Sequence, residues 1–287
     1  MIKYTSLFFL LFFSCQDINV KDSPTAKTLH HKEKNTKEPL MVQNDSLASE
    51  FKKEGFVGTF VLYDYQEKQY TVYNKAMAKK RFCPASTFKI FNALVALETE
   101  VLKDTLDVIK WDGVERSWSK WNRDQNLAIG MEFSALWAFQ TIAERVQAKD
   151  SLAYQHYLET AGYGNQKRST DTRLFWLDNS LQISPMEQIQ FLVQLYENKL
   201  PFSPRTMELV KGILKLKIKN NKQWFAKTGW SIVDEQNVGW YVGYFKENGK
   251  TYFFSTLIEY NGAIKDRNAF LSARINITEN IIEKLLR

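Results

Sequence analysis

Strand-like runs of apolar residues occur near both ends of this chain. The segment "GTFVLYDYQEKQYTVYN" (Gly58–Asn74) holds two runs rich in aromatic and β-branched residues around a polar turn, which predicts two strands. A third strand is predicted for "QWFAKTGWSIV" (Gln223–Val233). The stretch "GWYVGYFKENGKTYFFSTLIEY" follows it and predicts a hairpin, because Asn248 and Gly249 form a preferred two-residue hairpin turn.

Helical patterns fill the middle and the end of the chain. The segment Ser86–Leu102 is apolar nearly all round, which predicts a helix buried on every side. "SPMEQIQFLVQLYEN" begins with Ser184 at the N-cap, Pro185 in the first turn and Glu187 completing a capping box. The last residues, "ITENIIEKLLR", predict an amphipathic helix.

The order of these elements predicts the fold class. The chain has 287 residues, 44% of them hydrophobic and 14% aromatic, which is enough for one large core. Strands near both ends flank a middle that mixes short helices with polar loops. We therefore predict an α+β fold, in which one antiparallel sheet is built from both chain ends and a helical lobe is inserted between them.

The first residues have the pattern of an export signal. Residues 1–15 contain Lys3 and then a short apolar core, Ser6–Phe13, which is too short to span a bilayer. A small residue directly before Cys15 resembles the signal of bacterial lipoproteins, in which the cysteine is lipidated; an ordinary cleaved signal is the alternative. We therefore expect the protein on the periplasmic side of a bacterial membrane.

A segment of low aromatic content follows the signal. Residues 16–47 contain no aromatic residue, and five lysines balance five acidic residues, which predicts a flexible tether. The predicted organisation is therefore a signal peptide over residues 1–15, a tether over 16–47 and a folded domain over 48–287.

The composition argues against several classes of site. Cys15 and Cys83 are the two cysteines, so a lipidated Cys15 would leave Cys83 without an intramolecular partner, most simply as a small buried residue. His156 is the single histidine after the tether, which disfavours zinc hydrolysis and a Ser-His-Asp triad. The net charge is a modest +7, and no aromatic residues interleave the lysine-rich stretch, so we predict no nucleic-acid partner. The lysines in question are Lys211, Lys215, Lys217, Lys219 and Lys222.

A serine and a lysine three residues apart lie on the same side of a helix. Such Ser-x-x-Lys tetrads begin at Ser49, Ser86 and Ser117, so the pattern alone is weak evidence for a catalytic pair. Ser86 differs from the other two because it follows Pro84 and opens an apolar helix. There, free backbone N–H groups can stabilise developing negative charge, which favours Ser86 as a nucleophile.

Lys89 is expected one turn further into the core. A lysine has an ordinary pKa of about 10.4 and is a poor base at neutral pH, but burial disfavours the ammonium and lowers the pKa. A neutral amine can take a proton from Ser86 or react with carbon dioxide. The alternative is a surface lysine whose stem lies along the protein.

A second candidate group lies on the third predicted strand. Lys227, Thr228 and Gly229 form "KTG", whose ammonium and hydroxyl can bind a carboxylate while the glycine admits a ligand close to the strand. Lys-Thr-Gly is common by chance, but together with an upstream Ser-x-x-Lys it is the pairing of penicillin-recognising serine enzymes.

Taken together, these segments resemble the class D serine β-lactamases, the oxacillinase family. The resemblance covers roughly residues 47–287 and rests on motifs in the family's order: "CPASTFKIFNALVALETEVL", "KWDGVERSWSKWNRDQNLAIGMEFSALWAFQ", "GYGN", "FWLDNSLQISPMEQIQFL", "AKTGW" and "VGWYVGYF". It implies the fold of the penicillin-recognising serine enzymes.

The resemblance implies a role for each matching catalytic residue. Ser86 would be the acylated nucleophile and Lys89 an N-carboxylated lysine that acts as general base. Ser134 matches the serine that relays protons to the leaving nitrogen, and Trp176 the tryptophan whose indole N–H holds the carboxylated lysine. Leu136 stands where the family has valine, which puts the deacylation rate in doubt more than the fold.

The resemblance also implies a substrate-binding set. Tyr163–Asn165 matches the family's Tyr-Gly-Asn motif, and the backbone N–H groups of Ser86 and Trp230 would form the oxyanion hole. Arg274 matches a carboxylate-binding arginine, with Arg267 as the competing position. The remaining members, in the order of the chain, would be Ser134, Lys227, Thr228 and Gly229.

The implied activity is hydrolysis of β-lactams by a membrane-tethered enzyme, with β-lactam small molecules as partners. No metal or cofactor is expected, apart from carbon dioxide or bicarbonate to carboxylate Lys89. Two alternatives share Ser86, Lys89 and Lys227: a penicillin-binding D,D-peptidase or transpeptidase, and a non-enzymatic β-lactam sensor domain. We expect the enzyme over the sensor, because an export signal is the one membrane-directed segment that the sequence predicts.

Overall fold

A six-stranded sheet runs through the part of the chain that the computed structural model describes, residues 39–216 and 218–287. The strands are β1 (Leu40–Gln43), β2 (Val57–Asp64), β3 (Gln69–Tyr73), β4 (Gln223–Val233), β5 (Gln236–Glu247) and β6 (Lys250–Asn261). Their order across the sheet is β1-β3-β2-β6-β5-β4. All neighbours pair antiparallel except β1 and β3, which are parallel. The prediction of one sheet built from both chain ends is therefore confirmed.

Helices cover both faces of this sheet. They are α1 (Ala48–Glu54), α2 (Lys75–Lys79), α3 (Lys89–Glu98), α4 (Leu127–Glu132), α5 (Leu136–Lys149), α6 (Ala153–Thr160), α7 (Pro185–Tyr196), α8 (Pro204–Leu214) and α9 (Arg267–Leu285). Helices α1 and α9 pack against one face of the sheet. On the other face lies a helical lobe, whose helix α7 packs directly against the strands. The lobe, α2 to α8, is inserted between β3 and β4, as predicted. None of the helices within the described ranges is long and apolar enough to cross a bilayer.

The folded body begins earlier than the sequence predicted. We placed residues 40–47 in the tether, but Leu40–Gln43 forms β1 and pairs with β3. Three apolar residues and a glutamine are enough to complete the edge of a sheet without any aromatic residue, so the lack of aromatics in this segment was a misleading criterion for a tether. The predicted signal peptide, Cys15 and the rest of the tether up to residue 38 lie outside the described residues.

The helical predictions are confirmed in type and differ at their ends. Ser184 caps α7 and forms the predicted capping box with Glu187. The hairpin turn has Asn248 and Gly249 at φ angles of 49° and 76°, as a two-residue turn of this kind requires. The predicted helix from Ser86 to Leu102 is shorter: it opens with a 3₁₀ turn, and α3 ends at Glu98.

The position of α3 and β4 determines where chemistry can occur. Residues 89–97 of α3 are all buried, so this helix is the centre of the lobe. Strand β4 is an edge strand of the sheet, and it packs against the 3₁₀ turn that precedes α3. The start of a buried helix and the edge of the sheet therefore meet in one place.

Candidate active site

The turn that carries Ser86 has a strained backbone. Ser86 is the second residue of the 3₁₀ helix Ala85–Phe88, and Ala85 has a φ of 49°. This left-handed conformation costs a residue with a Cβ about 1 kcal/mol. The turn is held by hydrogen bonds from Ala85 N to Trp176 O, at 3.0 Å, and from Thr87 N to Pro84 O, at 3.1 Å. The serine hydroxyl is thus presented at a fixed position in front of α3.

Lys89 lies directly behind this hydroxyl. Its side chain is only 1% exposed, and Nζ lies 2.9 Å from Ser86 Oγ. Burial lowers the pKa of Lys89 to about 7. The ring of Phe139, with its centroid 5.3 Å from Nζ, adds to the apolar surroundings. The surface alternative for Lys89 is therefore excluded, and its amine is available in the neutral form near neutral pH.

Trp176 contributes to the site through both its main chain and its side chain. Its carbonyl accepts the hydrogen bond from Ala85 that holds the turn, and its ring stacks on Phe88 at 5.3 Å between centroids. The indole is fully buried, and its N–H has no partner among the described residues. A buried unpaired donor costs about 1–3 kcal/mol, so this N–H is available for an acceptor that joins the site.

A second serine–lysine pair lies on the opposite side. Lys227 is 4% exposed, and its Nζ lies 3.0 Å from Ser134 Oγ and 3.1 Å from Thr228 O. Burial, together with the positive charges of Lys89 and Arg274, holds the pKa of Lys227 well below its usual value. Ser134 has a φ of 54°, so this serine also sits on a strained turn.

Gly229 allows β4 to approach the nucleophile turn. A Cβ added at Gly229 would lie 3.1 Å from Pro84 O and 3.2 Å from Thr87 Cγ2, tighter than ordinary packing. Ser86 lies between those two residues and Trp230 follows Gly229, so the two predicted oxyanion-hole donors flank this contact. Such a contact is what an oxyanion hole shared by a turn and a strand requires.

The two candidate arginines occupy different places on α9. Arg274 is 6% exposed, donates from its guanidinium to Gly229 O, and has an Nε without a partner among the described residues. Burial lowers its pKa to about 10, which leaves it cationic at neutral pH. Arg267 is exposed and lies over the ring of Trp230 at 5.0 Å. Of the two, Arg274 therefore lies in the site proper and Arg267 at its rim.

A cavity of about 280 Å³ is lined by the serines of both pairs and by both arginines, whereas Lys89, Trp176 and Lys227 are not part of its lining. Its polar wall contains Ser86, Glu132, Ser134, Thr228, Gly229, Trp230, Arg267 and Arg274. Leu136, the residue that departs from the family pattern, is on the apolar wall. So are Trp118 and Trp121, whose rings stack at 6.4 Å and which the sequence had not singled out for the site.

The Tyr-Gly-Asn motif supports the site from behind. Tyr163 is buried against Phe91, with ring centroids 4.8 Å apart. Gly164 has a φ of 55°, and a Cβ there would lie 2.0 Å from Gln182 O. Asn165 Oδ1 accepts a hydrogen bond from Gln182 N at 3.0 Å, and Asn165 Nδ2 donates one to Ser180 O at 2.8 Å. The motif thus clamps the segment that follows Trp176.

Gln188 is a site-supporting residue that sequence reasoning missed. It is fully buried in α7 and donates to Thr87 Oγ1 at 2.9 Å. That hydroxyl donates in turn to Pro84 O at 2.7 Å, so Gln188 fixes the turn that carries Ser86. The sequence signal that could have identified Gln188 is the presence of a glutamine on the apolar face of a predicted helix.

Comparison with known proteins identifies relatives of two kinds. Residues 32–283 match the penicillin binding protein transpeptidase domain. The chain is 36% identical over 245 residues to the probable beta-lactamase YbxI of Bacillus subtilis, covering 85% of this chain and 86% of that protein. It is 35% identical over 244 residues to the regulatory protein BlaR1 of Bacillus licheniformis, covering 85% of this chain but only 39% of BlaR1.

Solved structures give the same result for the fold. A class D beta-lactamase from Sebaldella termitidis superimposes with a TM-score of 0.81 at 38% sequence identity. The match covers 86% of this chain and 98% of that structure. The predicted fold of the penicillin-recognising serine enzymes is therefore confirmed.

Proposed function

The chain belongs to the class D β-lactamase family, within the penicillin-binding transpeptidase domain, and from this premise we propose that it hydrolyses β-lactams through an acyl-enzyme on Ser86. The observation that carries the proposal is the pair formed by the buried Lys89 amine and the Ser86 hydroxyl, 2.9 Å apart. An amine whose pKa is about 7 is matched to general-base work at neutral pH.

Acylation follows from the geometry around Ser86. As Ser86 Oγ forms a bond to the lactam carbonyl carbon, its proton passes to the Lys89 side chain. The N–H groups of Ser86 and Trp230 stabilise the negative charge on the carbonyl oxygen. The carbonyl–nitrogen bond of the ring then breaks, and the nitrogen takes a proton relayed by the Ser134 hydroxyl, to which Lys227 donates.

The substrate carboxylate is bound by the cationic side of the site. Lys227, the Thr228 hydroxyl and Arg274 provide charge-assisted hydrogen bonds, each contributing about 1.5–3 kcal/mol. Arg274 stays cationic at neutral pH and lies close enough to disfavour a second cation at Lys227, so an incoming anion is favoured on this side of the pocket.

For deacylation we propose that Lys89 is N-carboxylated, which would replace the amine by an anionic base. Carbon dioxide on the amine would supply an anionic carboxylate that takes a proton from the deacylating water. The residues suit this group: burial leaves about half of Lys89 neutral at pH 7 and more above it, and the buried Trp176 N–H has no acceptor among the described residues. An anion in this apolar setting needs such a donor.

A β-lactam sensor is the second candidate function, because the similarity to BlaR1 is as high as the similarity to YbxI. A D,D-peptidase would use the same Ser86, Lys89 and Lys227. Purified protein mixed with a chromogenic cephalosporin separates these functions by turnover. Many turnovers per molecule support a β-lactamase, whereas a single stoichiometric burst would overturn it in favour of a sensor or a penicillin-binding peptidase.

We also propose that Cys15 is lipidated and holds the protein on the periplasmic side of a membrane. The support is the small residue that precedes Cys15 after a short apolar core. Metabolic labelling with a fatty acid should mark the wild type and not Cys15→Ala. Equal labelling of both proteins would exclude the anchor.

A further inference from the structure

Arg267 rests on a rigid platform at the rim of the active-site cavity. Its guanidinium lies over the Trp230 ring at 5.0 Å, which is a cation–π distance. The Trp230 indole N–H donates to Asn237 Oδ1 at 3.0 Å. Asn237 is 2% exposed, and its amide also donates to Gly262 O at 2.8 Å, just before α9. The Trp230 ring, and the cation above it, are therefore held in place by a buried side chain.

Neither an ion pair nor stabilisation of the helix explains why an arginine occupies position 267. Among the described residues, no carboxylate lies within 4.0 Å of the Arg267 guanidinium. The neighbouring Asp266 instead caps α9 through Ala269 N at 3.0 Å. Arg267 is the first residue of α9, where a cation opposes the helix dipole. Arg267 thus opposes the dipole at the start of α9, and no carboxylate of the described residues neutralises its charge.

Arg267 and Arg274 lie on one face of α9. They are two helical turns apart, which corresponds to about 10 Å along the axis. Leu271 lies between them, and all three side chains line the cavity that contains Ser86. Arg274 is at the deep end beside Gly229, and Arg267 is at the rim. The cavity therefore carries two arginines from one helix face along one wall, with Glu132 as the one acidic residue of its lining.

A second hollow, of about 460 Å³, meets this cavity at Trp230 and Arg267. Its wall includes the apolar side chains of Ile232, Ala263 and Ile264. Glu235 supplies a carboxylate to the same wall and disfavours an anion beside it. The hollow thus suits an apolar group whose anionic end lies at Arg267.

We propose that Arg267 is a specificity-determining residue, which selects β-lactams whose side chain carries a second anionic group. Arg274 and Lys227 bind the ring carboxylate, and Arg267, two helical turns away along α9, binds a side-chain carboxylate or sulfonate. This inference rests on the proposed function, because it assumes that Ser86 is acylated by β-lactams.

Three penicillins that differ in charge at one carbon test the inference. Benzylpenicillin is neutral there, its α-carboxy derivative is anionic and its α-amino derivative is cationic. We expect Arg267→Gln to lower kcat/KM for the α-carboxy compound about fivefold, the size of an exposed ion pair. Benzylpenicillin should be unaffected, and the α-amino compound unaffected or faster. The second-order rate of Ser86 acylation, followed by mass spectrometry, should show the same order.

Matched variants separate charge from structure. Arg267→Lys should keep most of the preference, and added salt should reduce it in the wild type. Arg205→Gln, at the start of α8, removes an exposed arginine from a helix start outside the cavity and should change nothing. Equal rate changes for all three penicillins, or none for any, would overturn the inference while leaving the β-lactamase proposal intact. No adduct on Ser86 of the wild type would overturn both.

Discussion

The two serine–lysine pairs of the site, Lys89–Ser86 and Lys227–Ser134, have nearly equal hydrogen bonds of 2.9 and 3.0 Å, but different surroundings. Both lysines are buried, and both have a lowered pKa. For Lys89 the cause is burial alone, in an apolar pocket. For Lys227 the cause is burial together with two neighbouring cations, and Thr228 O is a further hydrogen-bond acceptor.

This difference bears on the two proposed roles. Burial makes the Lys89 amine available in its neutral, proton-accepting form near neutral pH. Lys227 lies beside the cationic Arg274, so an anionic substrate that enters here meets a positively charged wall. Under the proposed mechanism, the same two residue types therefore perform chemistry on one side of the cavity and recognition on the other.

The largest expected effect tests which of the two serines is the nucleophile. Ser86→Ala should abolish the β-lactam adduct and lower turnover by about four decades or more, since it removes the atom that forms the acyl bond. Ser134→Ala should slow the reaction but keep an adduct at Ser86. Peptide mass mapping after exposure to a β-lactam measures both. An adduct on Ser134, Ser49 or Ser117 would contradict the assignment.

The next effect concerns the donor on the Lys89 side. Trp176→Phe keeps most of the bulk but removes the indole N–H, so acyl-enzyme should form and then be released about 10²-fold more slowly. Added bicarbonate should compensate in part. Carbon-13 NMR with labelled bicarbonate should show a carbamate signal in the wild type and none in Lys89→Ala.

Trp224→Phe is the matched control for this substitution. Trp224 is also buried, and its indole N–H has no partner in the part of the chain that the structure describes, but it lies in the core cluster on the other face of the sheet. Its replacement should leave deacylation unchanged. Rapid turnover by a wild type that gives no carbamate signal would mean that Lys89 acts as a plain amine.

On the recognition side, Arg274→Ala should lower kcat/KM about ten- to a hundredfold with a substrate that has a single carboxylate. The effect arises because the buried cation beside Gly229 O is lost. Arg267→Ala should change the same parameter by less than about twofold. Steady-state kinetics on both variants decide between the arginines, and the reverse order would assign the carboxylate to Arg267.

The smallest expected effect is on stability. Replacing a buried amine by an apolar side chain, Lys89→Met, should raise the free energy of unfolding at neutral pH by about 2 kcal/mol and abolish activity. The folded-state pKa of Lys89 is about 7, below its ordinary 10.5, so the folded state binds fewer protons between these values. Wild-type stability should therefore rise with pH across this window, and the advantage of the variant should shrink.

Chemical denaturation at several pH values measures the difference between the two proteins. The exposed Lys53→Met serves as the control and should show no pH-dependent gain. A Lys89→Met protein that is less stable than the wild type at neutral pH would contradict the prediction. It would show that the buried amine, with its hydrogen bond to Ser86, does not lower the free energy of unfolding.

Local patterns in the sequence predicted the strands, the hairpin and the capped helix, because these depend on neighbouring residues. They also placed Ser86 and Lys89 together, since three residues on a helix fix that spacing. The buried lysine followed from its apolar flanks. The family resemblance placed both Ser134 and Lys227 in the site, but their hydrogen bond, across 93 residues of the chain, is a finding of the structure.

Other features depend on contacts that no local pattern contains. The positive φ of Ala85 is held by the carbonyl of Trp176, which lies in a distant segment. Gln188 acts through Thr87, again across the lobe. Strand β1 was missed because its four residues gain their order from the edge of β3. Each of these three features depends on long-range hydrogen bonds, which residue types along the chain do not reveal.

The double use of Trp176 has a consequence for how this family can diversify. Its carbonyl oxygen, which accepts hydrogen bonds from Ala85 N and from the thiol of Cys83, would be supplied by any residue at that position. Under the proposed mechanism, only the indole serves the base. A substitution there should therefore slow release of the acyl group while the scaffold around Ser86 persists. One codon change is then enough, in principle, to turn a hydrolase into a receptor that keeps its ligand.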